Sequence, residues 1–79
     1  MRDQDRIREH MEVIGADGRH VGTVDHLEAG GSIKLARNDP DSGGQHHWIP
    51  GDWVSDVEGD RVRLSMPSDE VQRRWRDRE

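Results

Sequence analysis

Apolar residues in this 79-residue chain never form an uninterrupted run longer than two. A membrane-spanning helix needs about 20 mostly apolar residues in a row, and a signal peptide needs an apolar segment of about 7–15. The pattern therefore predicts neither, and we expect a cytoplasmic protein without membrane partners. Any ordered structure must come from the spacing of isolated apolar residues.

The composition limits the chain to one small domain with a thin core. Hydrophobic residues are 29% of the sequence and charged residues 37%, which approaches the composition of disordered chains. The absence of cysteine excludes disulfide bonds, thiolate metal ligands and a cysteine nucleophile. The core must hold alone or through self-association, and we expect a homo-oligomer, in the simplest case a dimer.

Charge argues against nucleic-acid binding. The chain has 12 Lys and Arg residues against 17 Asp and Glu residues, a net charge of −5, which disfavours any partner held by its phosphates. Four acidic residues near the C terminus cancel the four arginines there, as is typical of a solvated helix face; the arginines are Arg73, Arg74, Arg76 and Arg78, and the acidic residues are Asp69, Glu70, Asp77 and Glu79.

Turn-forming residues divide the chain into short segments with strand-like alternation. We predict strands over 11–14, 20–27, 32–36, 46–49, 54–58 and 61–66. The Asp17-Gly18 pair predicts a type I′ hairpin turn, and Gly59-Asp60 predicts a second hairpin. The polar stretch over 37–45 predicts the longest exposed loop.

A helix is predicted at the end of the chain. Ser68 follows a proline and is placed to cap the helix, with acidic residues in its first turn and Val71 and Trp75 on one face. The predicted organisation is thus a polar segment over 1–10, a β domain over 11–66 and a C-terminal helix over 67–79.

An internal repeat supports this register. Residues 24–28 (VDHLE) align with 54–58 (VSDVE), and 33–35 (IKL) align with 62–64 (VRL). Both copies space two apolar residues three apart, which breaks the period of two of a regular strand. We predict a β-bulge in each copy that returns the second apolar residue to the core. Six such short strands are the number expected of a small β-barrel.

The turn glycine Gly18, the V-G-T-V element at 21–24 and the I-P-G-D-W-V-S-D-V run at 49–57 resemble the PRC-barrel fold. The pieces HMEVIG (10–15), DGRHVGTVD (17–25) and GGQHH (43–47) are more closely similar to small stand-alone bacterial proteins known only as a domain of unknown function. The resemblance, over roughly 8–66, implies a mainly β protein: a PRC-barrel-like barrel of about six short antiparallel strands, with the C-terminal helix following it. It also implies an adaptor that binds other proteins, without enzymatic activity or cofactor.

Five histidines suggest a metal site, and His46 and His47 are its strongest element. Adjacent strand residues point to opposite faces, whereas zinc needs three or four convergent ligands, so we assign no metal ligand. We expect one of the two to hold the long loop in place by a hydrogen bond. The alternative function is a metal- or small-ligand-binding protein that uses His46 and His47.

No nucleophile elbow, P-loop or dinucleotide fingerprint occurs, so we predict no catalytic residues. The three tryptophans are the remaining signal. Trp53 is expected in the core, whereas Trp48, next to an inward-facing Ile49, and Trp75, on the helix with Val71, are candidate interface residues. The predicted function is a non-enzymatic protein-binding or adaptor module that self-associates.

Overall fold

The computed structural model describes residues 7–28, 30–37 and 44–76. It contains six strands and one α-helix: β1 (Glu12–Ile14), β2 (His20–Leu27), β3 (Ser32–Leu35), β4 (His47–Pro50), β5 (Val54–Glu58), β6 (Arg61–Leu64) and α1 (Ser68–Arg74). One turn of 3₁₀ helix, Gly51–Trp53, joins β4 to β5. The mainly β class with a C-terminal helix is confirmed. Most of the predicted loop over 37–45, and the start of the segment over 1–10, lie outside the described residues.

The strands form one mixed sheet in the order β4-β3-β2-β1-β6-β5. Four of the neighbouring pairs are antiparallel, but β1 and β6 are parallel, so the prediction of antiparallel strands throughout is wrong for this pair. The local pattern predicts hairpins, whereas the direction of two strands far apart in the chain is set by the long connection between them. Within the described residues no pairing joins β4 to β5, so closure into a barrel is not confirmed.

The repeat reappears as two hairpins with a bulge at the equivalent place. The register shifts between Val24 and His26 in β2, and between Val54 and Asp56 in β5. Beyond the bulges, Leu27 pairs with a buried isoleucine and Val57 with a buried valine. Val57 is 3% exposed but Leu27 is 39% exposed. The two predicted bulges are confirmed. The prediction that the bulge returns the second apolar residue to the core is wrong for Leu27, which is the last residue of β2 and lies at the border of the sheet.

Every strand and the helix contribute to one core. The buried residues in contact are Ile7, Met11, Val13, Val21, Val24, Ile33, Leu35, Ile49, Val57, Val62, Leu64 and Val71. Trp53, the tryptophan predicted for the core, is partly buried and packs against this cluster. In the part of the chain that the structure describes, no helix has the length and apolar character needed to cross a membrane.

The turn between β1 and β2 also holds the helix. Gly18 has a φ of +80° but Asp17 has no positive φ, so the predicted type I′ turn is wrong. The Gly18 N–H bonds to the Gly15 carbonyl at 3.0 Å, as in a longer hairpin loop that needs a left-handed residue only at its last position. This geometry leaves the Asp17 carboxylate facing the start of α1.

Asp17 performs the capping role that we predicted for Ser68. The residue before α1 is Pro67, which makes no capping hydrogen bond, and Ser68 is the first helical residue. The Ser68 N–H donates to Asp17 Oδ1 at 3.2 Å and its hydroxyl donates to Asp17 Oδ2 at 3.1 Å. A carboxylate at a helix N-terminus satisfies a backbone donor that has no partner inside the helix.

Candidate protein-interaction site

Strand β4 presents two different sets of side chains. His47 and Ile49 are buried on the core side, whereas Trp48 and Pro50 are partly exposed on the other side. Cross-strand pairing places Trp48 beside Lys34 on β3. The two adjacent histidines therefore diverge, as strand alternation predicted.

The indole of Trp48 is held from several directions. Its N–H donates to Glu28 Oε1 at 3.2 Å, and Lys34 Nζ lies 5.6 Å from the ring centroid. The His46 ring is tilted by 52° to the indole, with 6.2 Å between their centroids. We call the surface formed by Glu28, Lys34, His46 and Trp48 the Trp48 face. Its central aromatic ring is partly exposed but fixed in position.

The polar side chains of Asp25 and His26 border the Trp48 face. His26 Nε2 is 3.3 Å from Glu28 Oε2, and His26 Nδ1 is 3.5 Å from Asp25 Oδ2. Asp25 Oδ2 also lies 3.9 Å from Lys34 Nζ. A polar border around a central aromatic residue is the usual arrangement of a protein–protein contact.

The segment after α1 covers the outer edge of β4. The Trp48 N–H donates to the Arg76 carbonyl at 2.8 Å, and the Arg76 N–H donates to the Trp48 carbonyl at 3.0 Å. An open depression of about 120 Å³ adjoins this pair; it is lined by Ser32, Trp48, Ile49, Pro50 and Arg76. The Trp48 face thus borders a concave surface that accommodates a small side chain.

His46 fastens the two ends of the long loop. Its Nδ1 lies 3.0 Å from the carbonyl oxygen of Leu35, the last residue of β3. A carbonyl only accepts hydrogen bonds, so Nδ1 carries the proton in this contact. The predicted hydrogen bond between one of the paired histidines and the sheet is confirmed.

The other two candidate interface residues are turned toward the core. Trp75 is partly buried and stacks on His47, with 3.8 Å between ring centroids and 9° between planes. Val71 has no exposed surface because it belongs to the core of its own chain, so it is not available to a partner. Of the three candidates, Trp48 and Trp75 are partly exposed, but Trp75 packs against the core cluster and Trp48 does not.

The geometry gives no support to metal binding at the paired histidines. The His46 ring lies near Trp48, whereas the His47 ring stacks on Trp75 and is only 7% exposed. Over residues 7–28, 30–37 and 44–76, no three His, Asp or Glu side chains gather as metal ligands.

Sequence reasoning missed three residues of the site. Lys34 lies in the predicted strand over 32–36, but its neighbour on β4 depended on the register between the two strands. Glu28 and Arg76 reach Trp48 only through the tertiary fold. One signal was available for Lys34, because it is the only lysine in the chain and lies between two inward-facing residues.

One family model matches a segment that includes the whole sheet. A family described as an uncharacterized protein conserved in bacteria (DUF2171) matches residues 7–72, which include all six strands and the Trp48 face. The chain belongs to the DUF2171 family. This membership confirms the predicted similarity to small bacterial proteins of unknown function. The DUF2171 match ends inside α1, before Trp75 and Arg76. No curated protein matches the chain.

Proposed function

We propose that the protein is a non-enzymatic protein-binding module that self-associates as a homodimer and acts as an adaptor in the bacterial cytoplasm. The Trp48 face is its contact surface. The observation that carries the proposal is a partly exposed indole, fixed by Glu28 and Lys34, beside an open depression.

A fixed tryptophan suits the central position of a protein contact. Binding energy in interfaces concentrates in a few residues, among which tryptophan is enriched. The hydrogen bond to Glu28 already satisfies the indole N–H, so covering the ring leaves no buried donor without a partner. A ring that is held before binding also loses little side-chain entropy when a partner arrives.

The architecture supports a protein-binding role by resemblance. We propose that the open sheet is a variant of the PRC-barrel fold. The V-G-T-V element lies in β2, and bulges bend the sheet at three places, two in β2 and one in β5. The relatives that this resemblance implies act by binding other proteins. A metal site at His46 and His47 has no comparable support, because their rings contact different side chains, Trp48 and Trp75.

Light scattering coupled to size exclusion tests the proposal. We expect a dimer at micromolar concentration, and we expect Trp48→Ala to raise its dissociation constant about thirtyfold, as loss of a central interface residue does. Leu27→Ala is the matched control, because Leu27 is an exposed apolar residue outside the Trp48 face. Circular dichroism confirms that both variants are folded.

If Trp48→Ala and Leu27→Ala raised the dissociation constant of the dimer equally, the assignment of the Trp48 face as the contact surface would be contradicted. A wild-type protein that stays monomeric over the whole range would exclude the homodimer. In that case, affinity capture from the native host with wild-type and Trp48→Ala protein tests binding of a different protein. Capture of the same proteins by both would remove the Trp48 face from the proposal.

A further inference from the structure

The two edge strands of the sheet differ in whether another backbone segment pairs with their outer side. Arg76 covers the outer edge of β4 through two backbone hydrogen bonds to Trp48. Strand β5 ends the sheet on the other side and, within the residues that the structure describes, pairs only with β6. An uncovered edge is a template for pairing with another chain.

The hairpin geometry shows which backbone groups of β5 face outward. Glu58 and Arg61 are paired across the two-residue turn, and Val57 is paired with Val62. In an antiparallel hairpin, the pair that flanks a two-residue turn is hydrogen-bonded, and the next pair is not. The N–H and carbonyl of Val57 therefore point away from β6, toward the open edge.

The outward-pointing N–H of Val57 already donates a hydrogen bond to a side chain. The Val57 N–H donates to Oδ1 of Asp56, its own neighbour, at 2.8 Å. Asp56 is exposed and has no cationic partner among the described residues, whereas the neighbouring Glu58 carboxylate lies 3.4 Å from Arg63 Nε. Asp56 thus makes no ion pair with a described residue, although Arg63 lies opposite it on β6, and its carboxylate blocks the donor that an incoming strand requires.

We infer that the β5 edge is a pairing surface for a second copy of this chain and that Asp56 holds it closed. Antiparallel pairing about a two-fold axis at Val57 is self-complementary, because each Val57 then donates to and accepts from the other. The same pairing sets Asp56 opposite Glu58 of the second copy, and like charges in that position repel.

The carboxylate of Asp56 opposes pairing in two ways, by occupying the donor and by its charge. Protein association is thereby directed away from the sheet edge and toward its faces. This inference concerns a surface separate from the Trp48 face and does not depend on it.

Three full-length variants separate the two effects. Asp56→Ala removes the acceptor and the charge, Asp56→Asn keeps an acceptor for the Val57 N–H but removes the charge, and Asp52→Ala removes a nearby exposed charge only. In sedimentation equilibrium we expect Asp56→Ala to strengthen self-association about thirtyfold, since two symmetric donors become available. Asp56→Asn should give a smaller gain, and Asp52→Ala none.

A Trp48→Ala background separates this edge from the Trp48 face. The gain from Asp56→Ala should persist there, whether or not the wild-type protein dimerises through the Trp48 face. Amide hydrogen exchange at Val57 gives a second readout on the same samples. In Asp56→Ala, the Val57 amide should exchange faster than in wild type at low protein concentration and become protected as concentration rises.

The inference is overturned if Asp56→Ala associates no more than Asp52→Ala, or if Val57 gains no protection with concentration. An Asp56→Asn variant that associates as strongly as Asp56→Ala would overturn the role of the Val57 to Asp56 hydrogen bond. Circular dichroism establishes that each variant is folded before its association is compared.

Discussion

Gly15 sets how closely α1 approaches the β1–β2 turn. A Cβ atom added at Gly15 would lie 2.5 Å from the Ser68 nitrogen and 3.0 Å from the Pro67 carbonyl carbon, both of which are backbone atoms. It would also lie 2.7 Å from Asp17 Oδ1. Backbone cannot rotate aside as a flexible side chain can, so Gly15→Ala must displace the start of the helix or the turn.

The expected loss follows from these contacts. Inserting a methyl group into a packed site costs about 1–3 kcal/mol, and replacing glycine returns about 0.4–1 kcal/mol by restricting the unfolded chain. The net destabilisation by Gly15→Ala is then about 1–2 kcal/mol, which corresponds to a fall in Tm of about 5–15 °C for a domain of this size.

Gly22→Ala is the matched control. Its added Cβ would meet only the side chain of Leu35, at 3.3 Å, which can move for about 0.5–1.5 kcal/mol. The entropic gain offsets most of this cost, so Gly22→Ala should leave Tm nearly unchanged.

Thermal unfolding followed by circular dichroism, at one protein concentration, compares the two variants. Tryptophan fluorescence reports displacement of Trp75 at the far end of α1. Equal Tm values for Gly15→Ala and Gly22→Ala would refute the reasoning, because only Gly15 faces backbone. A loss of stability in Gly15→Ala without any change in fluorescence would show that the helix does not move.

Two further predictions concern a pH dependence and the repeat. Desolvation acts to raise the pKa of the exposed Asp17, but hydrogen bonds from Arg19 and Ser68 outweigh it and hold that pKa below its ordinary value of 3.8. The stability that Asp17 confers is therefore present above pH 3.8 and lost as pH falls through the lowered pKa, so urea unfolding of wild type and Asp17→Ala should converge only in acid. Val57→Ala should cost about 2 kcal/mol in chemical denaturation and Leu27→Ala under about 1 kcal/mol, because only Val57 is buried; equal losses would contradict the different burial of these equivalent positions.

The local pattern of apolar and turn-forming residues was sufficient to predict most of the fold. The V-x-x-L spacing at 24–27 and the V-x-x-V spacing at 54–57 predicted both bulged hairpins, because one extra residue in a strand shifts its alternation in this way. The parallel β1–β6 pair was missed, since neither strand contains information about the direction of a partner far along the chain. The absence of a pairing between β4 and β5 in the described part of the chain depends on the same tertiary arrangement.

Only the features of the site that follow from the alternation of side chains along a strand were predictable from the sequence. Alternation separated His46 from His47 and placed Trp48 outside because Ile49 is inside. The stack of His47 on Trp75 and the pairing of Arg76 with Trp48 depend on where the last segment returns to the sheet. Ser68 carried a sound local capping signal, but the Asp17 carboxylate, brought close by the fold, took that role.

The parallel pairing of β1 with β6 has a consequence for the order in which this chain folds. Each bulged hairpin joins residues close in sequence and can form as soon as both of its strands exist. The parallel seam, where Val13 meets Val62, must wait until β6 has been synthesised. During translation one side of β1 therefore remains without its partner strand, and we expect the closure of that long loop to be the slowest step in forming the sheet.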